Sequence, residues 1–152
     1  MKRNTALCVL GLATVVAVAA WAQSAPAKKS LYDRIGGEPA IVKVVDDFVA
    51  KAAADPKVNF TRSGMWNATD AAVATLKTHL VTFLGSAFGG PQKYTGRSMK
   101  DAHKGMGIAQ AEFDALAADL RAVLESNKVP KAEIDEIMAI AASTAKDIVE
   151  KK

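Results

Sequence analysis

The chain has 152 residues, of which 50% are hydrophobic and 6% aromatic, and this length suits one domain with one core. Its formal charge is +4, but two of the positive charges, Lys2 and Arg3, lie at the N-terminus. The rest has no basic stripe with interleaved aromatic residues, so nucleic-acid binding has no support. Cys8 is the only cysteine. Disulfides, thiolate metal sites and cofactor attachment through Cys-x-x-Cys-His are therefore excluded from residue 9 onward.

The N-terminus has the pattern of a secretory signal. Lys2 and Arg3 precede an apolar run over residues 5–20, and Ala20-Trp21-Ala22 fits an A-x-A cleavage site. The alternative is an uncleaved membrane anchor, which needs about 20 apolar residues. We expect residues 1–22 to be a signal peptide, 23–30 a flexible linker and 31–152 a single domain. This predicts export to a bacterial periplasm, with no stable membrane anchor after cleavage.

Four long helical patterns and one short one follow in chain order. The long ones start near Glu38-Pro39, at Thr69 or Asp70, at Gln110 and at Pro130. The first three end at Asp55-Pro56, near Phe88 and near Asn127, and a short helix begins at Ser98. Apolar residues recur in them at i, i+3 and i+4, and no segment alternates as a strand does. The sequence therefore predicts an all-α fold.

The chain has two histidines, His79 and His103. On the short helix, His103 shares one face with Met99, Ala102 and Met106. An ordinary, partly buried histidine is one interpretation, yet soft methionines and nearby glycines suit a large flat ligand. His79 falls at the margin of an apolar stripe, where a solvated side chain is equally plausible. Neither histidine has the acidic or histidine neighbours of a zinc or non-haem iron site. Two imidazoles as axial ligands of one haem is a simpler use of them.

A family resemblance covers residues 31–149. It is carried by the opening segment 31–37, by Gly105-Met106-Gly107-Ile108 and, most strongly, by a spaced set of residues. That set is Phe83-Leu84, Gly90-Pro91, Gly96-Arg97, Met99 and His103. With this pattern the chain resembles the truncated haemoglobins, specifically group I. The resemblance implies a two-over-two helical sandwich around a non-covalent haem b, with His103 as the proximal ligand of the haem iron.

The resemblance also implies which residues line the distal side, opposite His103. Val49 stands where the family usually has a tyrosine, and Leu76 and Leu80 stand where glutamine is frequent. His79 corresponds to a second axial histidine of some cyanobacterial members. Other residues expected around the haem are Phe60, which would pack on the porphyrin, Phe83, Met99 and Met106, and Tyr94, Lys93 and Arg97 near the propionates.

These features favour reversible binding of a diatomic gas (O2, NO or CO) at the haem iron, with His79 as a competing ligand. A bis-histidine protein for electron transfer or redox sensing, with an unknown redox partner, is the alternative. Nitric oxide dioxygenation is a third option, which the missing distal tyrosine disfavours. A cofactor-free helical domain that binds a partner remains the simplest alternative.

Overall fold

The computed structural model describes residues 28–151, so the predicted signal peptide and most of the predicted linker lie outside the described residues. Seven helices occur in this part of the chain. They are α1 (Leu31–Ile35), α2 (Gly37–Ala54), α3 (Asp70–Ala87), α4 (Met99–His103), α5 (Gln110–Ser126), α6 (Lys131–Ser143) and α7 (Ala145–Ile148). Residues 28–151 contain no strand, only an isolated parallel bridge between Ala109 and Lys151. The all-α prediction is confirmed.

The short helix α1 was not predicted from the sequence, which gave the first helix a start near Glu38. Ser30 caps α1, because its hydroxyl accepts a hydrogen bond from the Asp33 amide at 3.1 Å and donates to the Asp33 carboxylate at 2.7 Å. Gly36, with φ +105°, then ends α1 and lets α2 start directly. The two helices are therefore separated by one left-handed residue.

Helix α2 supplies the centre of the core. Its buried residues repeat at the spacing that was predicted for an amphipathic helix, and they are Ile41, Val44, Val45, Val49 and Ala52. α2 packs against α3 on one side and α5 on the other, and α5 packs against α6. Each fully buried valine, leucine or isoleucine contributes about 1.5–3 kcal/mol relative to its exposed state. The pairs α2/α3 and α5/α6 thus enclose one hydrophobic core.

The remaining helix boundaries agree closely with those predicted from the sequence. Thr69 caps α3, since its hydroxyl accepts from the Ala72 amide at 3.2 Å, and α3 ends one residue before Phe88. α5 starts at Gln110 as predicted. The last predicted helix is divided at Thr144 into α6 and α7. No helix within residues 28–151 has the length and apolar character needed to cross a membrane.

Candidate functional site

Helix α4 presents His103 in a fixed orientation. Ser98 caps this five-residue helix, with its hydroxyl accepting from the Asp101 amide at 3.0 Å, at the residue where the short helix was predicted to begin. The Nδ1 atom of His103 lies 2.7 Å from the carbonyl oxygen of Met99. A carbonyl can only accept, so Nδ1 carries the proton and donates it. Within residues 28–151, Nε2 has no hydrogen-bond partner, and its lone pair is available to a metal ion.

The side chains next to His103 are apolar and half-buried. Met99 and Met106 both have this intermediate exposure, as the shared helix face predicted. Phe83 of α3 meets Tyr94 edge to face, with ring centroids 5.4 Å apart. The structure thus joins two of the predicted site residues in one aromatic contact.

The three residues expected near the haem propionates, Tyr94, Lys93 and Arg97, have different environments. The Tyr94 hydroxyl donates to the carbonyl oxygen of Arg97 at 2.8 Å, which uses its one proton within the loop. Lys93 and Arg97 are exposed, and neither forms an ion pair within residues 28–151. Cations are therefore available in this loop, whereas the tyrosine serves to shape it.

The three predicted distal residues are aliphatic and differ in burial. Val49 is 4% exposed within the core cluster, and Leu80 packs against that cluster. Leu76 is half-buried on the same side of α3. None of these three side chains can donate a hydrogen bond. A ligand next to these three side chains would therefore receive no hydrogen bond from them.

His79 is exposed on α3, whereas Leu76 and Leu80 on the same helix are half-buried. Its carbonyl oxygen accepts from the Thr82 hydroxyl at 3.0 Å. Its neighbour Lys77 forms an ion pair with Asp46 of α2 at 2.9 Å. His79 and His103 share no hydrogen bond within residues 28–151.

Phe60 lies in the turn between α2 and α3. It is half-buried, packs against the core cluster and meets Trp66 edge to face with ring centroids 5.3 Å apart. The same turn contains Arg62, which sequence reasoning missed. Arg62 donates to the Met106 carbonyl oxygen from Nη2 at 2.8 Å and to Glu112 from Nη1 at 2.8 Å. This arginine joins the turn to the loop after His103.

Glu112 completes that network. Its carboxylate also accepts from the Ala109 amide at 2.8 Å and from the Asn59 side chain at 3.2 Å. Hydrogen bonding to Arg62, then to Ala109, lowers the pKa of Glu112 to about 2. The sequence contains one signal for this role of Glu112. The residue is the third of α5, three positions after Ala109, where a glutamate carboxylate often accepts a hydrogen bond from the amide of the N-cap residue.

Comparison with known proteins decides the family. The bacterial-like globin family model matches residues 30–150. The chain is similar to a group 1 truncated haemoglobin of Mycolicibacterium paratuberculosis, at 37% identity over 78% of this chain and 83% of the relative. It is 35% identical to one from Synechocystis sp., over 76% of this chain and 92% of the relative. The chain belongs to the bacterial-like globin family, as a group 1 truncated haemoglobin.

Solved structures support the same family assignment. The truncated haemoglobin of Tetrahymena pyriformis in its Fe(III) form has a TM-score of 0.71 at 32% identity, covering 81% of this chain and all of that one. A Synechococcus 2/2 haemoglobin, in the cyanomet state and with covalently attached haem, has a TM-score of 0.70 at 32% identity over the same shares. The two-over-two fold prediction is confirmed.

Membership of the globin family implies haem iron, and the residues present fit it. The imidazole of His103 has one nitrogen bonded to a backbone carbonyl and the other without a partner in the described chain. That is the arrangement of a neutral histidine ligand whose orientation is set by a second hydrogen bond. Half-buried methionines and an aliphatic surface supply the apolar contacts that a porphyrin needs.

Proposed function

We propose that this globin binds a non-covalent haem b through His103 and reversibly binds a diatomic gas there. The observation that carries the proposal is the hydrogen bond from His103 Nδ1 to the Met99 carbonyl oxygen at 2.7 Å. It fixes the ring and leaves Nε2 as the iron ligand. Haem iron supplies the ligand-binding chemistry, while the protein supplies the axial nitrogen and an apolar surrounding.

The distal residues determine which ligands the protein favours. Val49, Leu76 and Leu80 offer no hydrogen-bond donor to a polar ligand. We therefore propose weaker discrimination in favour of O2 over CO than a distal tyrosine would give. The same absence disfavours efficient nitric oxide dioxygenation.

We propose His79 as a second, competing axial ligand. Its support is its position one residue before Leu80, on the helix that carries the distal leucines. Since its side chain is exposed, coordination requires α3 to rotate about its axis or to open locally. If His79 remains bound in both oxidation states, the alternative function of bis-histidine electron transfer or redox sensing, with an unknown redox partner, is favoured.

Absorption spectroscopy during hemin titration tests these assignments. The wild-type protein is expected to bind one hemin and to give a low-spin ferric spectrum. His79→Ala should keep hemin and become high-spin. His103→Gly should lose the native spectrum, and added imidazole should restore it because the free base replaces the missing ligand.

Two results would contradict the assignments separately. A His103→Gly spectrum identical to wild type would remove His103 from the coordination sphere. An unchanged His79→Ala spectrum would remove His79 alone. Fast and complete CO binding to the reduced wild-type protein would favour gas binding over electron transfer.

We also propose export with cleavage after Ala22. The support is the order of basic residues, apolar run and Ala20-Trp21-Ala22 in the sequence. Attachment of the haem through a cysteine thioether is then excluded, because the one cysteine, Cys8, is removed. Mass spectrometry of the protein from a periplasmic extract should give a chain that starts at Gln23. A full-length mass in the membrane fraction would instead support an anchor.

A further inference from the structure

The loop that follows His103 is held by the end of the chain. The Glu150 carboxylate accepts hydrogen bonds from the Gly105 amide at 2.7 Å and from the Gly107 amide at 2.5 Å. We call residues 149–151 the C-terminal clasp. The acceptor lies more than 40 residues away from both donors in the sequence, so these bonds are tertiary contacts.

Backbone hydrogen bonds also attach the C-terminal clasp to the loop after His103. The amides of Glu150 and Lys151 donate to the Ile108 carbonyl oxygen at 2.9 and 3.1 Å. The Gln110 amide donates to the Lys151 carbonyl oxygen at 3.0 Å, and Ala109 and Lys151 form the isolated parallel bridge. The C-terminal clasp therefore contacts the segment between α4 and α5 along its length.

The local backbone turns both amides toward one carboxylate. Gly105 and Gly107 have φ values of +79° and +60°, in the left-handed region that favours glycine. Neighbouring amides in such a conformation form a concave site for an anion. The two backbone hydrogen bonds lower the pKa of Glu150, because they stabilise its carboxylate anion.

Arg62 holds the carbonyl groups of the same loop. Its Nη2 atom donates to Met106 at 2.8 Å and to Gly107 at 3.3 Å, while Glu150 binds the amides. Gly105 is exposed, so water could satisfy its amide without any protein partner. The arrangement therefore does more than satisfy polar groups, because it fixes where the loop lies.

Helix α4 needs such a restraint. It has five residues and none of them is buried, so packing alone holds it weakly. The hydrogen bond to Met99 fixes the rotation of the His103 ring, but it lies within α4 and cannot fix the position of the helix. Gly105 follows His103 by two residues, and it is the point where the C-terminal clasp holds this segment.

We propose that Glu150 is a positioning residue for His103. By holding the Gly105 and Gly107 amides, it sets the distance and tilt of the imidazole relative to the haem iron. The inference rests on the proposed function, since it takes His103 to be the axial ligand. Small displacements of an axial histidine change the iron–histidine bond, and outer residues commonly control this.

The test uses Glu150→Gln and Glu150→Asp, with Glu125→Gln as a matched control. Glu125 is exposed on α5 and its side chain forms no hydrogen bond within residues 28–151. In the haem-free protein, amide exchange at Gly105 and Gly107 should become roughly tenfold to a hundredfold faster in Glu150→Gln, as expected for loss of a charge-assisted hydrogen bond. Asp is shorter by one methylene and should give an intermediate increase.

The second readout is the iron–histidine stretching band of the ferrous protein, measured by resonance Raman. All variants are made in the His79→Ala background, so that a second histidine cannot hide the band. Glu150→Gln should shift or broaden the band and change the reduction potential. Glu150→Asp should give a smaller change, and Glu125→Gln should match its parent.

Faster exchange with an unchanged band and potential would overturn the proposal, because Glu150 would then hold the loop without positioning His103. Unchanged exchange at both glycines would also overturn it. Failure of the wild-type protein to bind hemin is a separate result, which would overturn the proposed function and this inference together.

Discussion

Arg62 occupies a backbone conformation that its residue type disfavours. Its φ is +53°, and its neighbours Asn59 and Ser63 have φ values of +51° and +55°. A left-handed residue with a side chain costs about 1–2 kcal/mol. The hydrogen bonds from the guanidinium to Glu112 and to the carbonyl oxygens after His103 offset that cost. Strain that is retained in this way is typical of residues that shape a functional site.

Glu112→Gln tests this network through its pH dependence. The Arg62–Glu112 pair is largely buried, with side-chain exposures of 13% and 21%. We expect the substitution to lower the free energy of unfolding by roughly 1–3 kcal/mol at pH 7. The pKa of Glu112 falls from 4.5 to about 2 on folding, so its contribution is complete above about pH 4.5. It is lost as the pH falls towards 2, and the difference between the two proteins should close over that window.

Urea unfolding of both proteins between pH 7 and pH 2 measures the difference. Groups other than Glu112 titrate in both proteins and cancel. Glu125→Gln, an exposed substitution of the same type, should differ from wild type by at most about 0.5 kcal/mol at every pH. A Glu112→Gln difference that stays constant down to pH 2 would show that the carboxylate charge does not stabilise the fold.

The helices that could be predicted are those with a strong local signal. α2 has a regular apolar period, and α3 and α4 have Thr69 and Ser98 as caps, so each was located within one or two residues. α1 is only five residues long, too short to show a period, although Ser30 and Asp33 have the spacing of a cap. No comparable sequence signal predicts the break between α6 and α7 at Thr144. Local chemistry therefore accounts for most of this fold.

The candidate site also has residues that could be predicted from the sequence and residues that could not. His103, its cap at Ser98 and the aliphatic distal residues follow from local pattern and family resemblance. The bonds of Arg62 to Glu112 and Met106, and of Glu150 to Gly105, could not be found, because they join residues more than 40 positions apart and involve left-handed backbone. Sequence periodicity carries no information about such contacts.

His79 is exposed at the margin of the half-buried face of α3. At 100° per residue, His79 lies about 60° from Leu76 and about 40° from Phe83 around the helix axis. The Lys77–Asp46 ion pair holds this orientation, but it is a surface pair and contributes only about 0–1 kcal/mol. The hydroxyls of Thr75, Thr78 and Thr82 also bond back to carbonyls of α3, an arrangement that slightly destabilises and often bends helices. These polar contacts therefore restrain rotation of α3 only weakly, and its orientation depends mainly on its packing against α2 and the core cluster.

The domain has two parts of unequal packing. The fully buried core lies between α1, α2, α5 and α6, whereas α4 and α7 have no buried residue. Regions with little buried apolar surface open at lower free energy than the core. A bound ligand should therefore stabilise the part that carries His103 more than the core.

Hemin should therefore raise the midpoint of thermal unfolding, because it binds the folded chain. At a free concentration one hundred times its dissociation constant, the stabilisation is about 2.7 kcal/mol, or roughly 10 °C for a domain of this size. Iron-free protoporphyrin IX is the control, since it fills the same apolar surroundings without a bond to His103. It should give a smaller shift, and His103→Gly should respond to the two porphyrins alike. Calorimetry that found equal shifts in the wild-type protein would show that the bond from His103 to iron adds nothing to stability.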